Sequence, residues 1–120
     1  MDKELVKEVE ELVAIAKEIE EQYVLKKSER TKLELEKSKI EADLLRITCF
    51  DSSLKNEQQR TAAFTIGKFK NESWYELASE KLPQLQNECL ALYFEHKRIH
   101  EQIECRLISN REDEIFERLL

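Results

Sequence analysis

Apolar residues recur along the first part of the chain in alternating steps of four and three. The stripe consists of Leu5, Val9, Leu12, Ala16, Ile19, Tyr23, Leu33, Ile40, Leu44 and Ile47. This spacing is the a/d seam of a heptad repeat, and it predicts one long helix over residues 3–48. A neighbouring stripe is expected to widen the buried face, through Val24, Thr31, Leu35, Ala42, Leu45 and Cys49.

Three cations interrupt the first seam, at Lys26, Arg30 and Lys37. Polar residues buried in a seam cost stability but can fix the register and oligomeric state of a coiled coil. Alternatively, the apolar stripe drifts toward Val24 and Leu35, and the cations lie at the rim with their charged ends in water. The sequence leaves both interpretations open.

A second seam predicts another long helix over residues 73–108. Ser73 and Glu76 have the spacing of a capping box, in which each side chain bonds a backbone N–H that the helix start leaves free. The seam then runs through Ala78, Leu82, Leu85, Cys89, Leu92, His96, Ile99 and Ile103. Pro83 is expected to kink this helix or to mark its restart, because proline lacks the N–H and clashes with the preceding turn. A short C-terminal helix is predicted over 112–119.

The two seams match when the second helix folds back on the first. If the numbers of facing residues sum to about 122, Tyr23 faces Ile99, Leu5 faces Phe116, and apolar positions meet over almost the whole length. The fold class we predict is therefore all-α, a long antiparallel helical hairpin (coiled coil) capped by a short helix.

The segment between the two helices predicts that short cap helix, over residues 56–67. Asn56 is a favourable N-cap. Gly67, the single glycine, is expected to end the helix in a left-handed conformation. The predicted buried side consists of Ala62, Ala63, Ile66 and Phe69. We expect this side to cover Ile47, Phe50, Trp74 and Leu77, with Trp74 as its anchor.

Composition agrees with one helical domain over residues 1–120. Charged residues make up 38% of the chain, and a single Gly and a single Pro leave too few turns for a strand-rich fold. Three cysteines with no C-x-x-C pair, and an N-terminus without an apolar leader, predict a reducing, cytoplasmic location. No apolar run approaches the roughly 18 residues of a membrane span, so no membrane association is expected.

The sequence contains none of the familiar catalytic or nucleotide-binding motifs. His96 and His100 have the i, i+4 spacing that can hold a metal ion on one helix face, but no third ligand is evident. We therefore predict no catalytic residue, no cofactor and no metal, and a protein that is not an enzyme.

A basic and aromatic cluster stands out in an otherwise acidic chain of net charge −6. The candidate partner-binding residues are Lys55, Arg60, Lys68, Lys70 and Tyr75. Basic side chains beside aromatic rings can hold phosphates and stack on the bases of single-stranded nucleic acid. The simpler interpretation is that this segment only caps the hairpin, and four charges would give a weak, salt-sensitive attraction.

Apolar residues outside the seams predict self-association. The candidate oligomer-interface residues are Val6, Val13, Leu90 and Phe94. A two-helix hairpin buries one face of each helix, and soluble monomers rarely expose a long apolar strip. We therefore expect a homo-oligomer, with a dimer that completes a four-helix bundle as the favoured form.

The segment LLRITCFDSSLKNEQQRTAAF, between two long charged helices, resembles the small helical-hairpin (coiled-coil) proteins encoded by phages and prophages. The resemblance is carried by LKNEQQRTAA. It implies a phage-derived or bacterial cytoplasmic protein that acts by binding, and it transfers no catalytic residue.

The function we expect is a non-catalytic, self-associating helical interaction or adaptor protein with a protein partner. One alternative is a single-stranded nucleic-acid or recombination accessory protein that acts through the 55–75 segment. Another is an acidic inhibitor of a nucleic-acid-binding protein, which the charge of −6 allows.

Overall fold

The computed structural model describes residues 2–119, so Met1 and Leu120, the ends of the predicted domain, lie outside the described residues. The helices are α1 (Lys3–Cys49), α2 (Glu57–Lys70), α3 (Glu72–Glu76) and α4 (Leu82–Leu119), and a π-helical turn at Leu77–Lys81 joins α3 to α4. The predicted all-α hairpin class is confirmed. The described residues form two compact units. We call residues 2–25 with 88–119 the two-helix unit, and residues 26–87 the turn unit.

In the two-helix unit, the start of α1 lies antiparallel to α4. Ile19, Cys89 and Ile99 are buried between the helices, and the other predicted seam positions of this unit are half-buried. Two polar pairs join the helices beside the seam. Glu8 Oε2 lies 3.2 Å from Arg106 Nε, and Glu20 Oε1 lies 2.7 Å from His96 Nε2. The heptad spacing thus correctly predicts which residues of these helices face inward.

The register of the hairpin differs from the prediction. The polar pairs Glu8–Arg106 and Glu20–His96 have residue numbers that sum to 114 and 116, not to 122. Phe116, predicted to face Leu5, has 63% of its surface exposed. A heptad seam repeats every seven residues, so a shift of about seven brings equivalent seam positions together again. Apolar spacing alone therefore could not distinguish the two registers.

In the turn unit, Trp74, Leu77 and Leu85 form the buried apolar core. Thr48 is also buried, and its hydroxyl donates to the Leu45 carbonyl at 2.9 Å, which satisfies the polar group inside the helix. The prediction of Ile47 as the last seam residue is wrong, since Ile47 is 61% exposed.

The expected widening of the α1 seam does not occur. Every residue of the neighbouring stripe is exposed, namely Val24, Thr31, Leu35, Ala42, Leu45 and Cys49. The three cations instead keep their seam positions and are half-buried, with Arg30 and Lys37 side chains 28% and 33% exposed. The aliphatic stems of these cations occupy seam positions where a coiled coil has apolar residues. The alternative, in which the apolar stripe drifts toward Val24 and Leu35, is therefore excluded.

Helix α2 packs with a different face from the one predicted. Asn56 is its N-cap, as expected, and its Oδ1 accepts from the Gln59 N–H at 2.8 Å. The inward residues are Arg60, Ala63, Phe64, Gly67, Lys68 and Asn71, whereas Ala62, Ile66 and Phe69 are exposed. Phe50 is 84% exposed and is not covered. The prediction followed hydrophobicity, but two long basic side chains lie on the inward face through their apolar stems.

Gly67 does not end α2. Its φ is not positive, and the helix continues to Lys70. Gly67 instead faces α1, where a Cβ at its position would lie 3.5 Å from Leu44 Cδ2, an ordinary van der Waals distance.

Helix α3 begins one residue earlier than predicted. Its N-cap is Asn71, whose Oδ1 accepts from the Trp74 N–H at 3.0 Å, so the Ser73–Glu76 capping box is not formed. The next helical turn is π-helical, and the Leu82 N–H bonds the Leu77 carbonyl five residues back. This wider turn is followed by α4, which begins at Leu82, so Pro83 lies within the first turn of a new α-helical segment.

Helix α4 is continuous from Leu82 to Leu119. The predicted end of the long helix at 108 and the separate C-terminal helix over 112–119 are therefore not present. Asn110 stabilises this stretch through its side-chain amide, which donates to Glu114 Oε1 at 3.1 Å. Within residues 2–119, no helix combines the length and apolar character that a membrane crossing requires.

Candidate interaction sites

Trp74 is the centre of the turn unit. Only 8% of its surface is exposed, and its indole N–H donates to Glu41 Oε1 at 2.9 Å. Phe69 packs edge-on against the ring, with centroids 5.4 Å apart and planes at 73°. This environment satisfies the one polar atom of the indole and buries the rest, which makes Trp74 a structural anchor.

Two lysines lie over the Trp74 ring. The Lys37 and Lys68 ammonium groups are 5.8 Å and 5.4 Å from its centroid. Lys68 is also 4.6 Å from the centroid of Phe64, and Lys37 is 3.6 Å from Glu41 Oε1. Each ammonium is therefore within the range of a cation–π interaction. Glu41, Trp74 and the two lysines therefore form one connected network.

The structure separates the five residues predicted to bind a partner. Lys68 and Arg60 are half-buried on the inward face of α2, and Lys68 contacts the aromatic rings. Lys55 and Lys70 are exposed at opposite ends of α2. Tyr75 is 51% exposed. Trp74 itself is buried, so the aromatic groups left to contact a ligand on this segment are Tyr75 and Phe69.

An Asx turn follows α1. Asp51 Oδ1 accepts from the Ser53 hydroxyl at 2.6 Å and from the Ser53 N–H at 2.9 Å. These two hydrogen bonds lower the pKa of Asp51, the hydroxyl bond having the larger effect. The carboxylate is fully exposed, so the turn is a local feature of the loop before α2.

The two-helix unit carries an apolar groove of about 340 Å³. Tyr23, Val24, Leu92 and Tyr93 line it, and the Glu20–His96 pair lies at its edge.

The two histidines do not share a ligand. His96 pairs with Glu20, whereas His100 lies 3.1 Å from Glu104 Oε1 on its own helix. Among the described residues, no three His, Cys, Asp or Glu side chains are grouped so that they could hold a metal ion. Each histidine instead contacts its own carboxylate, that of Glu20 for His96 and that of Glu104 for His100.

The four predicted interface residues are exposed, by 36% for Val6, 51% for Val13, 47% for Leu90 and 59% for Phe94. They do not form a single patch. At 100° per residue, Val6 and Val13 lie beside the seam of α1, while Leu90 and Phe94 lie on the side of α4 opposite to its seam.

Sequence reasoning missed the role of Glu41. This glutamate follows seam residue Ile40 and looks like one more exposed charge, yet it is half-buried and accepts the Trp74 hydrogen bond. A usable signal was present, because a tryptophan predicted to be buried requires an acceptor for its N–H.

No family model, curated protein or solved structure matches this chain.

Proposed function

We propose that the protein is a non-catalytic, cytoplasmic helical interaction protein that associates with itself and presents its remaining surface to a protein partner. The observation that carries this proposal is the imbalance between its core and its surface. Among residues 2–119, the buried apolar side chains are those of Ile19, Trp74, Leu77, Leu85, Cys89 and Ile99.

Large apolar side chains on the surface support the proposal. In the two-helix unit these include Val13, Leu90, Tyr93, Phe94 and Ile115, each about half exposed. Scattered apolar residues are normal on a monomer, but stripes of them at helical spacing usually mark an interaction surface. The resemblance to phage-encoded helical hairpins supports the same kind of role.

Size-exclusion chromatography with light scattering tests self-association. The chain has a mass of 14.3 kDa, and we expect the wild type to elute with at least twice that mass. Phe94→Glu should remain helical by circular dichroism but dissociate, because a charge at a buried interface is costly. Leu25→Glu, which places the same charge at a position that is 71% exposed on α1, is the matched control. A wild type that is monomeric at every concentration would contradict the proposal.

The single-stranded nucleic-acid alternative has less support from the geometry. Lys68 lies against Phe64 and Trp74, and the buried Trp74 ring is not free to stack on bases. Lys55, Lys70 and Tyr75 remain exposed. A salt-dependent gel shift with single-stranded oligonucleotides, lost in a Lys55→Glu, Lys70→Glu variant, would reinstate this alternative.

A further inference from the structure

The side of α4 that faces away from its seam carries a second ordered stripe. It consists of Leu90, Phe94, Lys97, Glu101, Cys105, Ile108, Glu112, Ile115 and Leu119. All of these residues are exposed, and the apolar ones range from 47% for Leu90 to 80% for Leu119. We call this set the outer stripe. It exists as one surface because α4 continues without a break through residues 109–114.

The spacing of the outer stripe is nearly the same in both directions along the helix. Stripe residues form pairs at equal distances from a centre that lies between residues 104 and 105. The two residue numbers of each pair sum to 209. A stripe of this kind is self-complementary, because a second identical helix laid antiparallel brings each stripe residue opposite another, except Cys105 beside the centre. Isologous two-fold interfaces require this property.

The chemistry of the stripe follows the same symmetry in its outer pairs, whereas the innermost pair places Glu101 against Ile108. Antiparallel pairing places Leu90 against Leu119 and Phe94 against Ile115, so that apolar ends meet apolar ends. It also places Lys97 of each copy against Glu112 of the other. Parallel pairing would instead bring Lys97 onto Lys97 and Glu112 onto Glu112, which is unfavourable. Charge complementarity therefore favours an antiparallel second copy.

We propose that the outer stripe is the self-association surface, and that its occupant is the antiparallel outer stripe of a second copy of the chain. The proposal rests on the self-association proposed above and names its surface. The contact runs over residues 90–119, about 45 Å of helix. The two-fold axis passes beside Cys105, and symmetry makes every off-axis contact occur twice.

A charge-reversal cycle tests the Lys97–Glu112 contact. Lys97→Glu alone and Glu112→Lys alone should each raise the dissociation constant of the dimer about tenfold. Each substitution turns two attractive contacts into repulsive ones. The double variant should return to within about threefold of the wild type. Lys7→Glu, an exposed lysine on α1, controls for the change in net charge and should have no effect.

Cysteine cross-linking tests the direction of pairing in the full chain. In a Cys49→Ser, Cys105→Ser background, chains with Phe94→Cys and chains with Ile115→Cys are mixed and oxidised. The mixture should form a disulfide-linked heterodimer. Phe94→Cys chains alone should not cross-link, because antiparallel pairing separates the two introduced thiols by about 30 Å. Cross-linking of the Phe94→Cys chains alone would indicate parallel pairing and overturn the proposal.

The remaining outcomes separate this proposal from the proposed function. If the wild type is monomeric, both fail. If the wild type self-associates but the double charge variant shows no rescue and the cysteine mixture no heterodimer, the outer stripe is not the surface. Self-association would then use another part of the protein, and a different partner would cover the outer stripe.

Discussion

The two units of this protein are stabilised in different ways. The two-helix unit has a repeated seam in which Ile19, Cys89 and Ile99 each contribute a similar buried contact. The turn unit depends on one residue, because Trp74 connects α3 to Glu41 of α1 and to Lys68 of α2. Stability is therefore distributed in the first unit and concentrated in the second. A substitution in the seam should weaken one layer, whereas loss of Trp74 should weaken the packing of α1, α2 and α3 together.

Trp74→Ala should have the largest effect. Removal of a buried large aromatic residue costs about 3–5 kcal/mol of unfolding free energy, and here it also removes the ring that two lysines and Phe69 contact. Urea unfolding at one fixed protein concentration measures the loss. A cost below about 1 kcal/mol would contradict the concentrated stability of the turn unit.

Ile19→Ala should cost about 2–4 kcal/mol, because Ile19 is 5% exposed in the seam of the two-helix unit. Ile15→Ala is a closely matched control, since the same residue type on the same helix is 42% exposed there. Its cost should stay below about 1 kcal/mol. Equal costs in urea melts would mean that the seam does not determine the stability of this unit.

Glu41→Ala should cost about 1–2 kcal/mol, because it leaves the buried indole N–H of Trp74 without its acceptor. The tryptophan fluorescence should change with it, since Trp74 is the single tryptophan of the chain. Glu36→Ala removes an exposed glutamate from the same helix and should change neither quantity. An unchanged emission spectrum in Glu41→Ala would show that the hydrogen bond does not hold the ring.

Gly67→Ala should stabilise the protein by about 0.5–1 kcal/mol. Gly67 has helical backbone geometry, and an added methyl group meets Leu44 at an ordinary distance, so the higher helix propensity of alanine is gained without a clash. The opposite sign is expected if Gly67 ends α2 in a left-handed conformation. A rise in the urea midpoint supports the helical geometry, and a fall contradicts it.

The sequence predicts the two-helix unit better because its signal is repeated. Seam positions such as Leu12, Ile19 and Leu92 support one another, and each adds to the same period. The same repetition hides the register, because a seam is unchanged by a shift of seven residues. The pairs Glu8–Arg106 and Glu20–His96 mark the register in the structure, but many other glutamates have equivalent spacing in the sequence.

The turn unit could be predicted only in outline. Asn56 as an N-cap and Trp74 as a buried anchor follow from local chemistry, and both are confirmed. The inward face of α2 does not follow, because Arg60 and Lys68 take positions that hydrophobicity assigns to Ile66 and Phe69. The packing of Lys68 depends on the Trp74 ring, a partner that local periodicity does not include.

The π-helical turn at Leu77–Lys81 changes which residue positions face the core on its two sides. Leu77 and Leu82 are five residues apart, a spacing that regular α-helix would rotate about 140° out of alignment, yet both face the core of the turn unit. The turn absorbs the extra residue just before Pro83, the second residue of α4. Deleting one residue here would rotate the following positions by about 100°. Changes in chain length should therefore be tolerated in the exposed 51–56 loop and disruptive at this turn.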